Sequence, residues 1–467
     1  MLTTTNGRTA LANGEEYSAD WCRADLANVP SLVTPAPGPK SKAMQERADR
    51  FIKGQSGQAR LFPVSFESGH GVTLRDVDGN TYLDFSSGIY VTNLGHCHPK
   101  ITEAVSRWAG KLMNAHDFHT PVKLALAEKL ASVLPGDLKG MQFYDSGTTA
   151  VEAGTRLLRA ASGNHEILSC FADFHGKTMG SVACGRMTPM YGPTRPPGFY
   201  MLPRPDMYRP WWTRSDGTLD TEAYLKFYEK FILESTTGQI AGFVLEPIQG
   251  WAGTIMPPDD FFPKLAAFCK ERHYLLMADE VLTGVGRTGK WLCMEHYGVV
   301  PDIVTLGKGF GNGFPVTACV AREEIADHFN TISASTSYGG NPMACAAALA
   351  SLEVIEEEDL LDNSRRLGEV ALKRLRQMKS AHPIIGDVRA IGCLMGIELV
   401  KDRISKEPFS EAGREVYIRA FRRGLAWIPA GHILRMSPPI VMNEAELLKG
   451  LDIIDEAIGE TERELCG

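Results

Sequence analysis

From about residue 95 to about 345, short apolar runs alternate with segments of helical periodicity, and this alternation limits the possible folds more than any other feature of the chain. The runs Gly140–Tyr144, Glu166–Phe171, Gly242–Leu245, Leu275–Ala278, Asp302–Leu306 and Val316–Ala321 predict strands. Their nearly continuous apolar character is that of strands buried on both faces. Between and after them, Thr148–Ala161, Glu222–Glu234, Phe261–Arg272 and Met343–Ile355 read as helices; in Phe261–Arg272, Leu265, Phe268 and Cys269 share one face. Strands interleaved with helices give an α/β fold with a mainly parallel sheet, because each parallel connection needs a crossover. Ligands in such sheets sit beyond the carboxyl ends of the strands, and the unusual polar residues of this chain cluster there.

The flanks are organised differently. Residues 1–94 read as an arm with a Pro-rich stretch at Pro30–Pro39, a short helix, and a hairpin of Val72–Val77 and Thr81–Phe85 around Asp78-Gly79-Asn80. Residues 95–344 form the expected large domain. Residues 345–467 form a smaller α/β domain, with a helical stripe at Leu367, Ala371, Leu375 and Met378. In the same part Asn443 and Glu446 make an N-cap pair ahead of Leu447, Leu451, Ile454 and Ile458. The segment Gly185–Gly217 resists the pattern, holding many prolines together with Tyr191, Tyr200, Tyr208, Trp211 and Trp212. A loop of this length is a lid or substrate wall, or else packing at a subunit interface.

Composition narrows the function classes. The 467 residues carry 49 Lys+Arg against 56 Asp+Glu, a net charge of −7, which offers no footprint for nucleic acid or an anionic membrane. No apolar run is long enough for a membrane span, and the start lacks the pattern of a secretory signal. The ten cysteines contain no C-x-x-C pair, which argues against a zinc or other metal site and for reduced thiols in a cytoplasmic protein. Cys319 and Cys345 lie in apolar runs and read as small core residues.

Three local patterns carry chemistry. At Ser146-Gly147-Thr148 an apolar run stops and a helix starts, which describes an ordinary N-cap and equally a phosphate cradle of free N–H groups and hydroxyls. At Leu275–Glu280 a strand ends in two adjacent carboxylates, Asp279 and Glu280, which alternation points to opposite sides. At Lys308 an amine stands at the end of another strand between Gly307 and Gly309; an amine stripped of its hydration attacks aldehydes. A phosphate cradle, a carboxylate and an amine nucleophile are together what pyridoxal phosphate requires.

The chain resembles the class-III, fold type I, pyridoxal-phosphate aminotransferases, the group of acetylornithine, ornithine, 4-aminobutyrate and other ω-aminotransferases. The likeness runs from about Gly69 to Pro439 through GVTLRDVDGNTYLDFSSGIYVTNLGHCHP, DSGTTAVEAGTR, FHGKTMGS, VLEPIQGWAG, DEVLTGVGRTG, TLGKGFGNGFPVTA, SYGGNPMACAAAL, GCLMGIELV and LRMSPPI. It implies a large domain with a mainly parallel seven-stranded sheet and a smaller C-terminal α/β domain. Lys308 is then the Schiff-base lysine and proton carrier, and Asp279 pairs with the ring nitrogen. Ser146, Gly147 and Thr148 bind the phosphate. Phe174 and Val281 cover the two ring faces, with His175 and Glu246 lining the site. Thr336 and Ser337 reach the phosphate of the neighbouring subunit, so the resemblance implies a homodimer with shared active sites. Tyr90 and Arg435 face the substrate, Arg435 gripping a carboxylate. The chain departs from the family's usual pattern at Thr149, where the family often has glutamate, and at Ser337, where it has threonine.

The implied reaction is amino transfer between a primary amine and a keto acid such as 2-oxoglutarate or pyruvate. The same machinery supports epimerisation, racemisation or decarboxylating transamination, and a coenzyme-binding protein without turnover is a further alternative. Some class-III members act on amino sugars, including C-6′ aminotransferases of gentamicin-type aminoglycoside pathways, and the chain resembles these in general character; an ω-amino acid is equally open.

Overall fold

All six apolar runs form strands in the computed structural model, which describes residues 8–10, 16–18, 20–186 and 195–466. Residues 104–353 make one compact unit. Its strands and main helices are β1 (Leu138–Tyr144), α1 (Gly147–Ser162), β2 (Glu166–Cys170), β3 (Phe199–Leu202), α2 (Thr221–Ser235), β4 (Ile240–Leu245), α3 (Phe261–Arg272), β5 (Leu275–Asp279), β6 (Ile303–Leu306) and β7 (Thr317–Arg322). They build a seven-stranded sheet in the order β1-β7-β6-β5-β4-β2-β3.

Connection length explains strand direction. The pairs β4/β5, β5/β6, β2/β4 and β2/β3 are parallel, whereas β7 runs antiparallel to both its neighbours, β6 and β1. Between Leu306 and Thr317 there is only the short turn Lys308–Phe310, too little for a crossover, so β7 must return antiparallel. The carboxyl ends of β1, β5 and β6 and the start of β7 therefore share one edge. Burial matches the apolar reading: every residue of β2, β4 and β6 is buried, and Leu157 and Leu158 of α1 join Met277, Ile303 and Cys319 in one core. Cys345 is buried as well.

The seventh strand, β3, lies in the proline-rich segment that the sequence pattern leaves without strands. Pro196, Pro197 and Pro203 flank it, which an edge strand tolerates because its outer side needs no ladder bonds. The Tyr200 hydroxyl donates to Glu166 at 3.0 Å and ties it to β2. Downstream, the Tyr228 hydroxyl of α2 donates to the Pro203 carbonyl at 2.6 Å, and the Trp211 N–H to the Tyr224 hydroxyl at 2.8 Å. Trp212 stands edge-on to Tyr224. The described part of the insertion thus lies along α2; residues 187–194 fall outside the described residues.

The second unit joins residues 1–103 to 354–467. The predicted hairpin forms between Thr73–Asp76 and Thr81–Asp84, with Phe66–His70 on one side and Leu425–Ala426 on the other. Buried Asp76 fixes the turn by accepting the N–H groups of Asp78 and Asn80. A second four-stranded sheet contains Ile385–Ile391, Leu394–Leu399, Ile433–Met436 and Ile428–Ala430. Helix Leu360–Ala381 buries Leu367, Ala371, Leu375 and Met378. Helix Glu444–Cys466 starts at the expected cap, Asn443 and Glu446 exchanging bonds of 2.8 and 2.9 Å.

Candidate active site

The two carboxylates at the end of β5 face opposite ways, as strand alternation requires. Asp279 Oδ1 accepts from the Thr305 hydroxyl at 2.9 Å and from the Val281 N–H at 3.1 Å. Its Oδ2 lies 2.7 Å from His175 Nδ1. Thr305 is the register partner of Asp279 on β6, so the sheet itself sets this contact. Glu280 turns into the protein, fully buried, where it accepts from the Thr283 hydroxyl and the Met294 N–H. Burial pushes its carboxyl up to about 7, against the pull of those donors.

Beyond β1, Ser146 caps the sixteen-residue helix α1 in a reciprocal box with Thr149: each side-chain oxygen accepts the other's N–H, at 3.4 and 3.3 Å. Thr149 therefore makes the reciprocal capping bond that a glutamate at that position makes. The N–H groups of Gly147 and Thr148 fall at the first helical positions, where the helix supplies no acceptor. The Thr148 hydroxyl is held by those of Thr178 and Ser181 at 2.7 and 2.6 Å. Thr317, at the start of β7, donates to the Ser146 carbonyl at 3.0 Å and ties cradle to sheet.

Lys308 follows β6 directly with φ +46°, a left-handed backbone unusual for a residue other than glycine. A side chain on Gly307 would press within 2.9 Å of Thr317 and 3.1 Å of Val281, and one on Gly147 within 3.0 Å of Val281. These two glycines let the Ser146 cradle, Val281 and Lys308 approach one another. Across from them Phe174 packs on Trp251 at 5.5 Å, and its N–H donates to Glu246 at 2.8 Å. Glu246 also accepts the Gly250 N–H. Burial first, then the charge of Asp173, push Glu246 up to about 8.

This donor set fits pyridoxal phosphate: two helix N–H groups open to a phosphate, a buried carboxylate for a ring nitrogen, a strand-end amine for an aldehyde, and glycines where a flat ring needs room. Among the described residues no group of three or more His, Cys, Asp or Glu could hold a metal ion.

The remaining expected residues lie elsewhere. Thr336 accepts the Gly339 N–H at 3.1 Å, and the Ser337 carbonyl accepts from Asn114 at 3.0 Å. In the second unit, Tyr90 ends a run in which Ser87, Gly88, Ile89 and Tyr90 all have positive φ. Ser87 donates to the Ser437 carbonyl at 2.6 Å and Ser437 to the Ser86 carbonyl at 2.9 Å, stitching that turn to the strand that carries buried Arg435. Sequence reasoning passed over Thr305, Thr317, Asp173 and Trp251. Thr305 and Thr317 read as ordinary β-branched strand residues, and nothing local marks Asp173.

A family model described as aminotransferase class-III matches residues 55–458. A leucine/methionine racemase of Thermococcus litoralis is 36% identical, with 90% of this chain and 96% of the relative covered. A probable 4-aminobutyrate aminotransferase of Bacillus subtilis is 34% identical, with 89% and 97% covered. An amine transaminase from an uncultivated Pseudomonas species, solved in its PLP-bound form, superposes with a TM-score of 0.81 at 28% identity, over 88% of this chain and 98% of that one.

Proposed function

The chain belongs to the class-III aminotransferase family, pyridoxal-phosphate enzymes that move an amino group between a primary amine and a keto acid, and we propose that Lys308 and Asp279 are its catalytic pair. When bound, the coenzyme supplies an electrophilic aldehyde and an electron-withdrawing ring. Lys308 Nζ would hold the coenzyme through its aldehyde. It would also serve as the general acid–base group, taking a proton from the substrate carbon and giving it back. Asp279, aimed by Thr305, the Val281 N–H and His175, keeps a proton on the ring nitrogen. Ser146, Gly147 and Thr148 hold the phosphate, Phe174 and Val281 flank the ring, and Glu246 lies on its hydroxyl side. Arg435 takes the carboxylate of the keto acid, with Tyr90 on the substrate side. The observation that carries this reading is the placement of Asp279 on β5 and Lys308 just past the adjacent β6, at the edge where α1 begins.

The proposed acceptor is 2-oxoglutarate or pyruvate and the proposed donor an ω-amino acid, which the name of the Bacillus subtilis relative supports. The proposed working form is a homodimer in which Thr336 and Ser337 serve the partner's phosphate. Scattered free cysteines support a cytoplasmic location, and no described helix is long and apolar enough to cross a membrane.

The test is a panel of amino acids, amines and amino sugars offered with each keto acid, products identified by mass spectrometry, together with borohydride reduction and peptide mapping. The expected tag is on Lys308; a tag on another lysine overturns the assignment. The Thermococcus litoralis relative, a racemase by name, favours a second reading on the same site. Formation of the opposite enantiomer of an amino acid, with solvent deuterium at its amine-bearing carbon and no keto acid present, would establish racemisation.

A further inference from the structure

Behind Asp279, three buried carboxyl groups meet one imidazole. His175 is fully enclosed: Nδ1 touches Asp279 from the end of β5, and Nε2 makes no hydrogen bond and faces Asp173 Oδ2 at 3.7 Å. Asp173, in the turn after β2, is 1% exposed and fixed from behind. Its Oδ1 accepts from Gln249 Nε2 at 2.7 Å and its Oδ2 from the Cys170 N–H at 2.9 Å. Glu246, from the end of β4, is the third carboxyl; the Cys184 thiol feels both aspartates together with Arg159 and Arg195, and the Cys170 thiol and Tyr228 phenol feel Asp173. A cavity of about 20 Å³ lined by Asp173, Glu246, Gln249 and Arg204 adjoins them, room for about one water.

A bond from Nδ1 to Asp279 alone is satisfied by a neutral imidazole. Such a ring would turn the bare Nε2 lone pair toward the Asp173 carboxylate in a site without solvent, which is repulsive. A second proton on Nε2 turns that repulsion into attraction. The two aspartates with one imidazolium then carry a single net negative charge, and a protonated ring nitrogen arriving at Asp279 cancels it. We propose that Asp173 is a positioning residue for the coenzyme: acting through His175, it keeps the imidazole doubly protonated, fixes the Nδ1 proton on the bond to Asp279, and leaves the Asp173–His175–Asp279 chain one negative charge for the ring nitrogen to neutralise. The electrostatics agree. Burial alone lowers the His175 imidazole, but Asp173 and Asp279 outweigh it and push it up to about 10.

The inference rests on Asp279 as the partner of the ring nitrogen, and its test reads the protein without turnover. The chain is labelled with ¹⁵N-histidine, and His175 is assigned by its loss in His175→Gln. The expected result is a doubly protonated His175 in the wild-type apoenzyme through about pH 8, and in Asp173→Asn a midpoint at least about one pH unit lower, the usual effect of removing a charge this close. Asp173→Asn is also expected to raise the Kd for pyridoxal phosphate about tenfold. A singly protonated His175 in the wild type near neutrality overturns the proposal without any variant being needed. Unchanged His175 protonation in folded Asp173→Asn overturns it as well. In either case, a borohydride tag still found on Lys308 leaves the site reading standing, whereas loss of that tag removes the site reading itself.

Discussion

The Thr305 hydroxyl is one of three contacts that hold the Asp279 carboxylate. Replacing it with the near-isosteric valine keeps the β-branched packing of β6 and removes only the bond to Asp279 Oδ1. Hydrogen bonds to charged groups contribute about 1.5–3 kcal/mol, so Thr305→Val is expected to lower kcat/KM roughly 10- to 100-fold with little change in folding. Unaltered kinetics would show that the Val281 N–H and His175 hold Asp279 unaided. Lys308→Ala is expected to cost on the order of 10³-fold or more, because both the covalent anchor and the proton carrier are lost. Glu280 contributes to stability rather than turnover. Its folded pKa of about 7 lies above the ordinary 4.5, so the folded state keeps a proton that the unfolded chain releases. Its stabilising contribution is complete below about pH 4.5 and is lost as pH rises through about 7, a swing of roughly 3 kcal/mol. Urea melts of the apoenzyme at pH 5 and pH 8 should therefore differ less in Glu280→Gln than in the wild type; parallel shifts would reject the assignment.

At the scale of elements, the junction of β1 and α1 combines a fold signal with a function signal. The Ser146–Thr149 box positions the first turn of α1, whose N–H groups are the proposed phosphate donors. Thr149→Val removes one half of the box and is expected to cost about 1 kcal/mol, whereas Thr149→Glu, which can remake the reciprocal bond, should cost less. Denaturant midpoints of the two variants decide this, and equal losses would mean that the box is incidental. The junction was legible in the sequence because both its parts are local: an apolar run ends and a cap begins. The same holds for β5 with Asp279 and for β6 with Lys308. What stayed hidden is non-local or lacks an apolar run. Strand β3 owes its place to an edge position and to the bond from Tyr200 to Glu166, neither of which leaves a periodic mark between prolines. Asp173 acquires its role only when folding brings β5 behind it. The left-handed turn at Ser87–Tyr90 contains one glycine where several would advertise it, and Ser437, far along the chain, holds it in place.

At the scale of the whole molecule, the decisive question for the proposed homodimer is which subunit would supply Thr336 and Ser337. In the large unit Tyr338 is 68% exposed beside them, and Met113 and Phe118 are 64% and 82% exposed. Large apolar side chains left this open on one unit are ones that the proposed second copy would cover. A complementation experiment separates the two arrangements. Lys308→Ala lacks the nucleophile, and the double variant Thr336→Ala, Ser337→Ala lacks the hydroxyls. If the hydroxyls act within their own subunit, every site in a mixed dimer is damaged once and activity stays at the level of the parents. If they act across the interface, one site of each mixed dimer gathers both lesions and the other is intact. Co-refolding equal amounts then makes about half the dimers mixed, each with one working site, and activity should rise to about a quarter of the wild-type value. Coenzyme occupancy should follow the same count. A mixture no more active than its parents would assign Thr336 and Ser337 to their own subunit and remove the shared site from the model of catalysis.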